Sequence, residues 1–439
     1  MQPFRKLSAA SPQLFKWGKL LGKTGGAQLL IQATGFICGI FIIRVLTSEQ
    51  YAYYTLANTM LGTMTVLADG GISTGVMSLG GKHWKDREAL GKILATGMKM
   101  RRQFAIGSLL VSLPILFFLL REQGMIWWHS VLLILCLTPT FWAALSGSLL
   151  QVVPKLHQDV NDLLRINVGV NVMRVIFTLP FLFLFPFAGV AILSTGASQV
   201  VGNLRFRKLS LKKADWKTDS DPEYRSHILG TVKRILPGSI YYCVNGQITV
   251  WLVAVFGNTD SIANLGAIGR LMVILTLVKM VVDMVITPRY ARLPAVKGLI
   301  IARFFQILAL VALISSVIVG GVYLFPEEFL WILGDKYADL EYEVLLMTIS
   351  SCLSMISGIG HNLSTSRGII PNPYLFIGST IASQILLLVF VVDYTSLAGV
   401  IKFSILVSLI GLAYRFVDFL YRTLVKMEWA AAPAAPRGK

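Results

Sequence analysis

The sequence has few charged residues and none of several motifs that mark catalytic or metal sites. Charged residues make up 14% of the 439 positions, whereas a soluble globular chain is about a quarter charged. Five histidines and four cysteines are scattered without paired spacing, so neither a disulfide framework nor a metal site follows. No GxSxG elbow, HExxH pair or nucleotide-binding fingerprint occurs. We therefore expect neither an enzyme nor a bound cofactor or metal.

Apolar sequence in long runs is what the chain does have. Hydrophobic residues make up 55% of it, and its mean hydropathy is +0.68. The formal net charge of +18 could indicate a nucleic-acid partner. The basic residues lie in particular loops rather than on one compact domain, however, which favours a membrane protein with no nucleic-acid partner.

The apolar runs predict an all-α polytopic membrane protein with about twelve spans. A membrane helix needs about 20 apolar residues, and the runs divide into two sets of six. We predict an N-terminal lobe at 1–204, a cytoplasmic linker at 205–227, a C-terminal lobe at 228–425 and a low-complexity, disordered tail at 426–439. The predicted spans are 25–46, 52–80, 104–120, 128–150, 164–184, 187–204, 235–256, 262–287, 299–325, 343–363, 374–392 and 397–420.

Loop charge indicates how these spans are oriented. Basic residues concentrate in the turns after spans 2, 6 and 8. The turn after span 9 is acidic, with Glu327, Glu328, Asp335, Asp339, Glu341 and Glu343. Because basic loops remain on the cytoplasmic side, we expect both termini to be cytoplasmic. We expect the turn after span 2 to lie against anionic lipid heads or to be a solvated loop. Its basic residues are Lys82, Lys85, Arg87, Lys92, Lys99, Arg101 and Arg102.

Three charged residues, Arg270, Lys279 and Asp283, lie inside predicted span 8. A charge in hydrocarbon costs at least about 2.5–3.5 kcal/mol, so these side chains should face other helices or a wet cavity. Arg270 either offers a cation to an anionic substrate, because guanidinium matches phosphate geometry, or anchors neighbouring helices. Lys279 and Asp283 are four residues apart and can pair on one helix face. The pair is either structural, or it serves substrate binding through Lys279 and ion coupling through Asp283.

Asp69 is a second carboxylate inside a span. It lies deep in predicted span 2 and is followed by Gly70 and Gly71, which loosen a helix locally. A carboxylate beside a broken helix is a candidate proton or sodium site. The alternative is a carboxylate that bonds to neighbouring backbone or hydroxyl groups.

Five further residues are candidates for substrate binding: Arg174, Arg44, Asn58, Asn245 and Gln247. Arg174 lies near the middle of predicted span 5 and is a second candidate cation for a cavity. Arg44 ends span 1, close to the interface, where a long side chain can reach the headgroups. The three amides either line the same cavity or hold helices together.

Four runs of the chain carry a family pattern in their order and spacing. They are FIIRVLTSEQYAYYTLANTMLGTMTVLADGGIST at 41–74, LPGSIYYCVNGQITVWLVAVFGN in span 7, GAIGRLMVILTLVKMVVDMVITPRYARL in span 8, and FPEEFLWILGDKYADLEYEVLLMT at 325–348. Together they resemble the polysaccharide-exporting branch of the multidrug/oligosaccharidyl-lipid/polysaccharide (MOP) exporter superfamily. Arg270 and Pro288 fall on the family's usual positions. Ala52 stands where the family usually has glycine, and 78–81 lacks the usual arginine.

The resemblance implies two six-helix lobes around a central cavity, in a MATE-like fold that works by alternating access. It implies a flippase for polyprenyl-pyrophosphate-linked oligosaccharide, such as an O-antigen or exopolysaccharide repeat unit, in the bacterial cytoplasmic membrane. Arg270 and Arg174 would meet the pyrophosphate, and the polyprenyl tail would stay in lipid. Proton or sodium coupling is one source of energy, since no nucleotide site exists. We expect a monomer whose partners are this substrate and membrane lipids.

Three other functions compete with this one. A multidrug antiporter of the same superfamily needs an acidic or aromatic cavity to hold organic cations. A membrane-embedded glycan polymerase or ligase needs large outer loops that carry catalytic groups, whereas the largest outer turn here is short. A structural scaffold would not need so many buried charges.

Overall fold

The computed structural model describes residues 4–215, 220–294, 296–367, 369, 372–390 and 396–426. Nearly all of these residues are helical, and no strand occurs among them. The chain is an all-α, multi-pass membrane protein, which confirms the predicted fold class.

Within the described ranges, nine helices are long and apolar enough to cross a bilayer, and one apolar helix, Tyr374–Phe390, is shorter. Large apolar side chains such as Leu110, Phe183 and Phe390 are more than 70% exposed, as lipid-facing residues are. Predicted spans 2 and 6 are also helical but more polar, and they fall outside the nine. The nine are Gly25–Val45, Arg87–Glu122, Trp127–Leu156, Val160–Leu184, Pro222–Phe256, Thr259–Val281, Lys297–Leu324, Glu341–Ser366 and Leu397–Val425.

Contacts divide the chain into an N-terminal unit, Met1–Val244, and a C-terminal unit, Asn245–Lys439. This boundary differs from the predicted linker at 205–227. Helix continues to Leu211, the next helix begins at Pro222, and its first half packs on the N-terminal unit. The predicted tail at 426–439 lies, apart from Lys426, outside the described residues.

In the part that the structure describes, the N-terminal unit contains eight helices and about two thirds of a ninth. They are α1 (Phe4–Val45), α2 (Ser48–Asp69), α3 (Ile72–Lys82), α4 (Arg87–Glu122), α5 (Trp127–Leu150), α6 (Val152–Leu156), α7 (Val160–Leu184), α8 (Ala188–Leu211) and α9 (Pro222–Phe256). The main helix pairs are α5 with α8, α7 with α8, α2 with α4, and α1 with α7. Gly196 lets α8 approach α5 closely, since an added Cβ would lie 3.0 Å from the Cα of Thr140.

A break in the backbone separates α2 from α3. Gly70 and Gly71 have φ of 48° and 95°, so the chain leaves the helix at Asp69 and starts a new one at Ile72. An added Cβ at Gly71 would also lie 2.9 Å from the Cβ of Ile235. The loosening that the sequence indicates is therefore a complete interruption of predicted span 2.

The C-terminal unit is organised around α15. Its helices after α9 are α10 (Thr259–Leu271), α11 (Val273–Val281), α12 (Thr287–Ala291), α13 (Lys297–Leu324), α14 (Pro326–Trp331), α15 (Glu341–Ser366), α16 (Pro373–Phe390) and α17 (Leu397–Tyr421). α15 packs against α11, α12, α13 and α17. Its Ile359 and Leu363 are fully buried, and Phe304 stacks on Phe419 at 3.8 Å between ring centroids beside them. Leu275 of α11 and Val282 also pack in this core, so it fixes the helix that carries Lys279 and Asp283.

Predicted span 8 is not a regular α-helix throughout. α10 ends at Leu271, α11 ends at Val281, and a π-helical turn, Val282–Ile286, joins α11 to α12. The N–H of Thr287 bonds to the carbonyl of Val282, five residues back. Pro288 has no N–H, so the regular α-helical pattern cannot continue through it. π-helical turns are frequent at functional sites, and this one contains Asp283.

Candidate functional site

A cavity of about 450 Å³ opens inside the C-terminal unit. Four stretches of helix line it, from α9, from α10 and α11 at their junction, from α15 and from α17. Each contributes residues three or four apart, which is one face of a helix. We call it the serine cavity. It is lined by Asn245, Gly246, Ile248, Thr249, Met272, Leu275, Thr276, Lys279, Met347, Ser350, Ser351, Ser354, Met355, Phe403, Ser404, Val407 and Ser408.

Hydroxyl groups dominate the polar surface of the serine cavity. Five serines and two threonines face it. Thr249 and Ser404 share a hydrogen bond of 2.7 Å between α9 and α17, and Ser354 and Ser408 share one of 3.0 Å between α15 and α17. A hydroxyl both donates and accepts. The cavity can therefore bond to phosphate oxygens or to sugar hydroxyls.

Lys279 is the one charged side chain among the described residues that line the serine cavity. It pairs with Asp283 one turn away, as the spacing predicts. The Nδ2 of Asn362, on α15, donates to both carboxylate oxygens of Asp283 at 2.9 and 3.0 Å. Both partners of the ion pair are partly accessible, with side chains 37% and 30% exposed. The pair thus lies at the cavity wall and is not sealed in the core.

Of the predicted residues Asn245, Gln247 and Arg270, Asn245 alone belongs to the described lining of this cavity. Asn245 lines it and accepts a hydrogen bond from Gln384 of α16. Gln247 is half-buried and, within the described ranges, is not part of the lining. Arg270 is half-buried in the last turn of α10, and the lining residues that the structure describes include its neighbour Met272 but not Arg270. Arg270 and Lys279 therefore do not both line this cavity, since nine residues along a helix put two side chains on nearly opposite faces.

Asp69 forms a second charged cluster, in the N-terminal unit. It ends α2, forms an ion pair with Arg101 of α4, and accepts hydrogen bonds from the Oγ and N–H of Ser73 at 2.7 and 3.2 Å. Arg101 also donates to Ser73 and Ser148, each at 2.6 Å, and to the carbonyl of Leu145. We call these residues the Asp69 cluster. Its carboxylate is held by neighbouring groups and by a buried cation.

For Arg101, the prediction made for the basic segment at 82–102 is wrong. The sequence places it among lipid-facing or solvated residues, but its side chain is only 3% exposed. α4 begins at Arg87, so Arg101 lies well inside that helix. A buried stripe leads to it in the sequence, through Leu90, Leu94, Gly97 and Arg101 at helical spacing. This periodicity is the signal that could have identified it.

Arg174 is half-buried on α7, and its buried Nε has no hydrogen-bond partner among the described residues. Arg44 is exposed in the last turn of α1, which suits a residue that reaches the membrane interface. Asn58 is exposed on α2 between buried neighbours. The structure brings none of these three into the Asp69 cluster, among the residues it describes.

Ser73, Asn362 and the cavity serines are site residues that the sequence does not single out. Each becomes notable only through a contact with another helix. Groups of three or more His, Cys, Asp or Glu side chains that could hold a metal ion do not occur in the part of the chain that the structure describes.

No protein-family model matches the sequence, and the search of curated proteins finds no match. Solved structures do match over nearly the whole chain. An inward-facing multidrug resistance MATE family transporter of the MOP superfamily superposes with a TM-score of 0.70 at 12% identity, covering 90% of this chain and 96% of the other. The fold is MATE-like.

Two further structures support the same fold. An outward-facing multidrug resistance MATE family transporter matches with a TM-score of 0.56 at 14% identity, covering 92% of this chain and 95% of that one. A MOP superfamily transporter from Pyrococcus furiosus matches with a TM-score of 0.54 at 14% identity, covering 92% and 96%. Its binding pocket is described as having reverse polarity, which suggests a different function for that protein.

Proposed function

We propose that this chain is a flippase that moves a polyprenyl-pyrophosphate-linked oligosaccharide across a bacterial cytoplasmic membrane by alternating access. One observation carries the proposal. The serine cavity is lined by hydroxyls and one lysine, and its described lining contains no carboxylate. Such a surface suits phosphate and sugar groups and suits an organic cation poorly.

Arg174 and Arg270 support the same substrate class. Both are half-buried cations inside helices that can cross a membrane. Among the described residues the buried Nε of Arg174 has no hydrogen-bond partner, so one donor of this guanidinium is unused. A pyrophosphate needs several such donors. We propose Arg174 and Arg270 as substrate-binding residues on this ground, with Arg44, Asn58, Asn245 and Gln247 in supporting roles.

A multidrug antiporter for organic cations is the alternative. Two of the matching structures are of multidrug resistance transporters. The carboxylates of Asp69 and Asp283 could attract a cation, but each is already paired with a basic side chain. The Pyrococcus furiosus protein shares this fold, but its binding pocket has reverse polarity, and a different function is suggested for it on that ground. Pocket polarity is therefore the property that separates the two functions.

Reconstitution separates them directly. The full chain in proteoliposomes should move a fluorescent polyprenyl-pyrophosphate oligosaccharide between leaflets, measured as loss of fluorescence to a membrane-impermeant quencher. It should not drive uptake of an organic dye cation under a proton or sodium gradient. Uptake of the dye without movement of the lipid-linked sugar would establish the alternative.

Arg270→Ala should abolish movement of the lipid-linked sugar, because it removes a cation that stays charged at any accessible pH. Arg303→Ala is the matched control. Arg303 is an exposed arginine on α13 that bonds to Gln306 one turn away. Both variants should reach the membrane at wild-type levels. Normal transport by Arg270→Ala would remove this residue from the mechanism.

A further inference from the structure

The ammonium of Lys279 has two possible partners, the carboxylate of Asp283 and a ligand in the serine cavity. Its side chain lines the serine cavity, and its ammonium donates to Asp283 in the π-helical turn. An ammonium has three N–H donors. Within the described part of the chain, the ammonium of Lys279 makes no other hydrogen bond. Donors therefore remain for a ligand in the cavity.

Asp283 is kept beside Lys279 from two directions. The four-residue spacing brings the two side chains together along their own helix. Asn362 reaches from α15 and donates to both carboxylate oxygens. The carboxylate thus has a fixed position at the edge of a cavity whose other polar groups are neutral. An anion that enters the cavity meets one cation and, behind it, one competing carboxylate.

We propose that the serine cavity is a subsite for the phosphate groups of the ligand, in which Lys279 binds phosphate and Asp283 competes with it. The biological ligand, a lipid-linked pyrophosphate, rests on the proposed function, whereas the phosphate chemistry rests on the cavity itself. Lys279 supplies the charge. In the Ser354–Ser408 pair one O–H is used between the two serines, and the other O–H remains to donate to a ligand. Asp283 lowers affinity and so allows release, which a transporter needs as much as binding. Asn362 is a positioning residue, because it acts through Asp283.

This arrangement makes the two members of the ion pair act in opposite directions. Removing Lys279 removes the one charge that favours phosphate. Removing the charge of Asp283 leaves Lys279 uncompensated and should strengthen phosphate binding. A pair with a purely structural role behaves differently, since either substitution then damages the same contact and weakens binding in the same direction.

The experiment measures binding of radiolabelled inorganic pyrophosphate to the purified full chain in lipid nanodiscs. Lys279→Met should weaken binding at least about tenfold, and Asp283→Asn should strengthen it about tenfold, the size that one neighbouring charge commonly produces. Asn362→Leu should shift affinity in the same direction as Asp283→Asn, since it frees the carboxylate from Lys279. Lys402→Met is the matched control. Lys402 is an exposed lysine on α17 that lies over the ring of Tyr342, outside the cavity lining.

Three results would overturn the inference. They are absence of pyrophosphate binding by the wild type, weakening by both Lys279→Met and Asp283→Asn, and a loss in Lys402→Met equal to that in Lys279→Met.

Ser354→Ala is a second probe of the cavity that leaves the ion pair intact, and it should weaken binding by a smaller factor. Opposite shifts in pyrophosphate affinity without movement of lipid-linked sugar in proteoliposomes would uphold the subsite and reject the flippase. Movement of the lipid-linked sugar, together with affinity shifts in the same direction for Lys279→Met and Asp283→Asn, would uphold the flippase and reject the subsite.

Discussion

At the scale of single residues, two carboxylates inside predicted membrane spans each have a basic partner. Asp69 pairs with Arg101, and Asp283 pairs with Lys279. Uncompensated charges are costly at membrane depth. The two pairs differ in how enclosed they are, because Arg101 is buried whereas Lys279 is partly open to a cavity. On this difference we propose a stabilising role for Arg101 and a ligand-binding role for Lys279.

Arg101→Met should destabilise the folded protein by about 3 kcal/mol, the lower end of the cost of leaving one charge of a buried pair unmatched. Asp69→Asn should cost about as much, since an amide can still bond to Ser73 but the buried guanidinium of Arg101 is left unmatched. The double variant should cost less than the sum of the two single ones, because it leaves neither charge unmatched. Denaturant or thermal unfolding in detergent measures all three. Strictly additive losses would show that the two side chains do not interact.

At the scale of elements, the helices that carry these carboxylates are both irregular. α2 stops at Asp69 because the next two glycines adopt positive φ. The helix after α10 changes to π-helical hydrogen bonding around Asp283, just before Pro288. An interruption frees backbone groups and turns side chains away from their regular helical positions. Glycine and proline in the sequence mark both positions.

Gly71→Ala should lower stability by at least about 1 kcal/mol, because φ of 95° disfavours a side chain and the new Cβ would meet Ile235. Gly107→Ala is the control. Gly107 lies inside α4, where an added Cβ has nothing within 4 Å, and alanine there should stabilise the helix by about 0.5–1 kcal/mol. Thermal unfolding of both variants measures the contrast. A loss of equal size at both positions would mean that the backbone at Gly71 is not the cause.

At the scale of the whole molecule, the chain is a multi-pass membrane protein with a MATE-like fold and two units. The serine cavity lies entirely in the C-terminal unit, and the Asp69 cluster lies entirely in the N-terminal unit. We propose ligand binding for the serine cavity and a stabilising role for the Asp69 cluster. Which side of the membrane each loop faces remains a prediction from charge.

Cysteine labelling tests that orientation. Asp339→Cys, in the acidic turn, should react with a membrane-impermeant maleimide added to intact cells, whereas Lys85→Cys should react only after permeabilisation. Both positions are exposed. Three of the native cysteines are buried and the fourth is half-buried, so their background should be low. Labelling of Lys85→Cys from outside would reverse the predicted topology.

The sequence by itself determined the all-helical class, the positions of most spans and the Lys279–Asp283 pair. Each of these depends on local information, namely the length of apolar runs and a spacing of one helical turn. Tertiary structure decided the rest. Asn362 lies 79 positions from Asp283, Arg101 reaches Asp69 from another helix, and the serine cavity forms where separate helices turn their hydroxyl faces to one another. Helical periodicity shows which face of a helix is polar, but the partner of that face is fixed only when the helices pack.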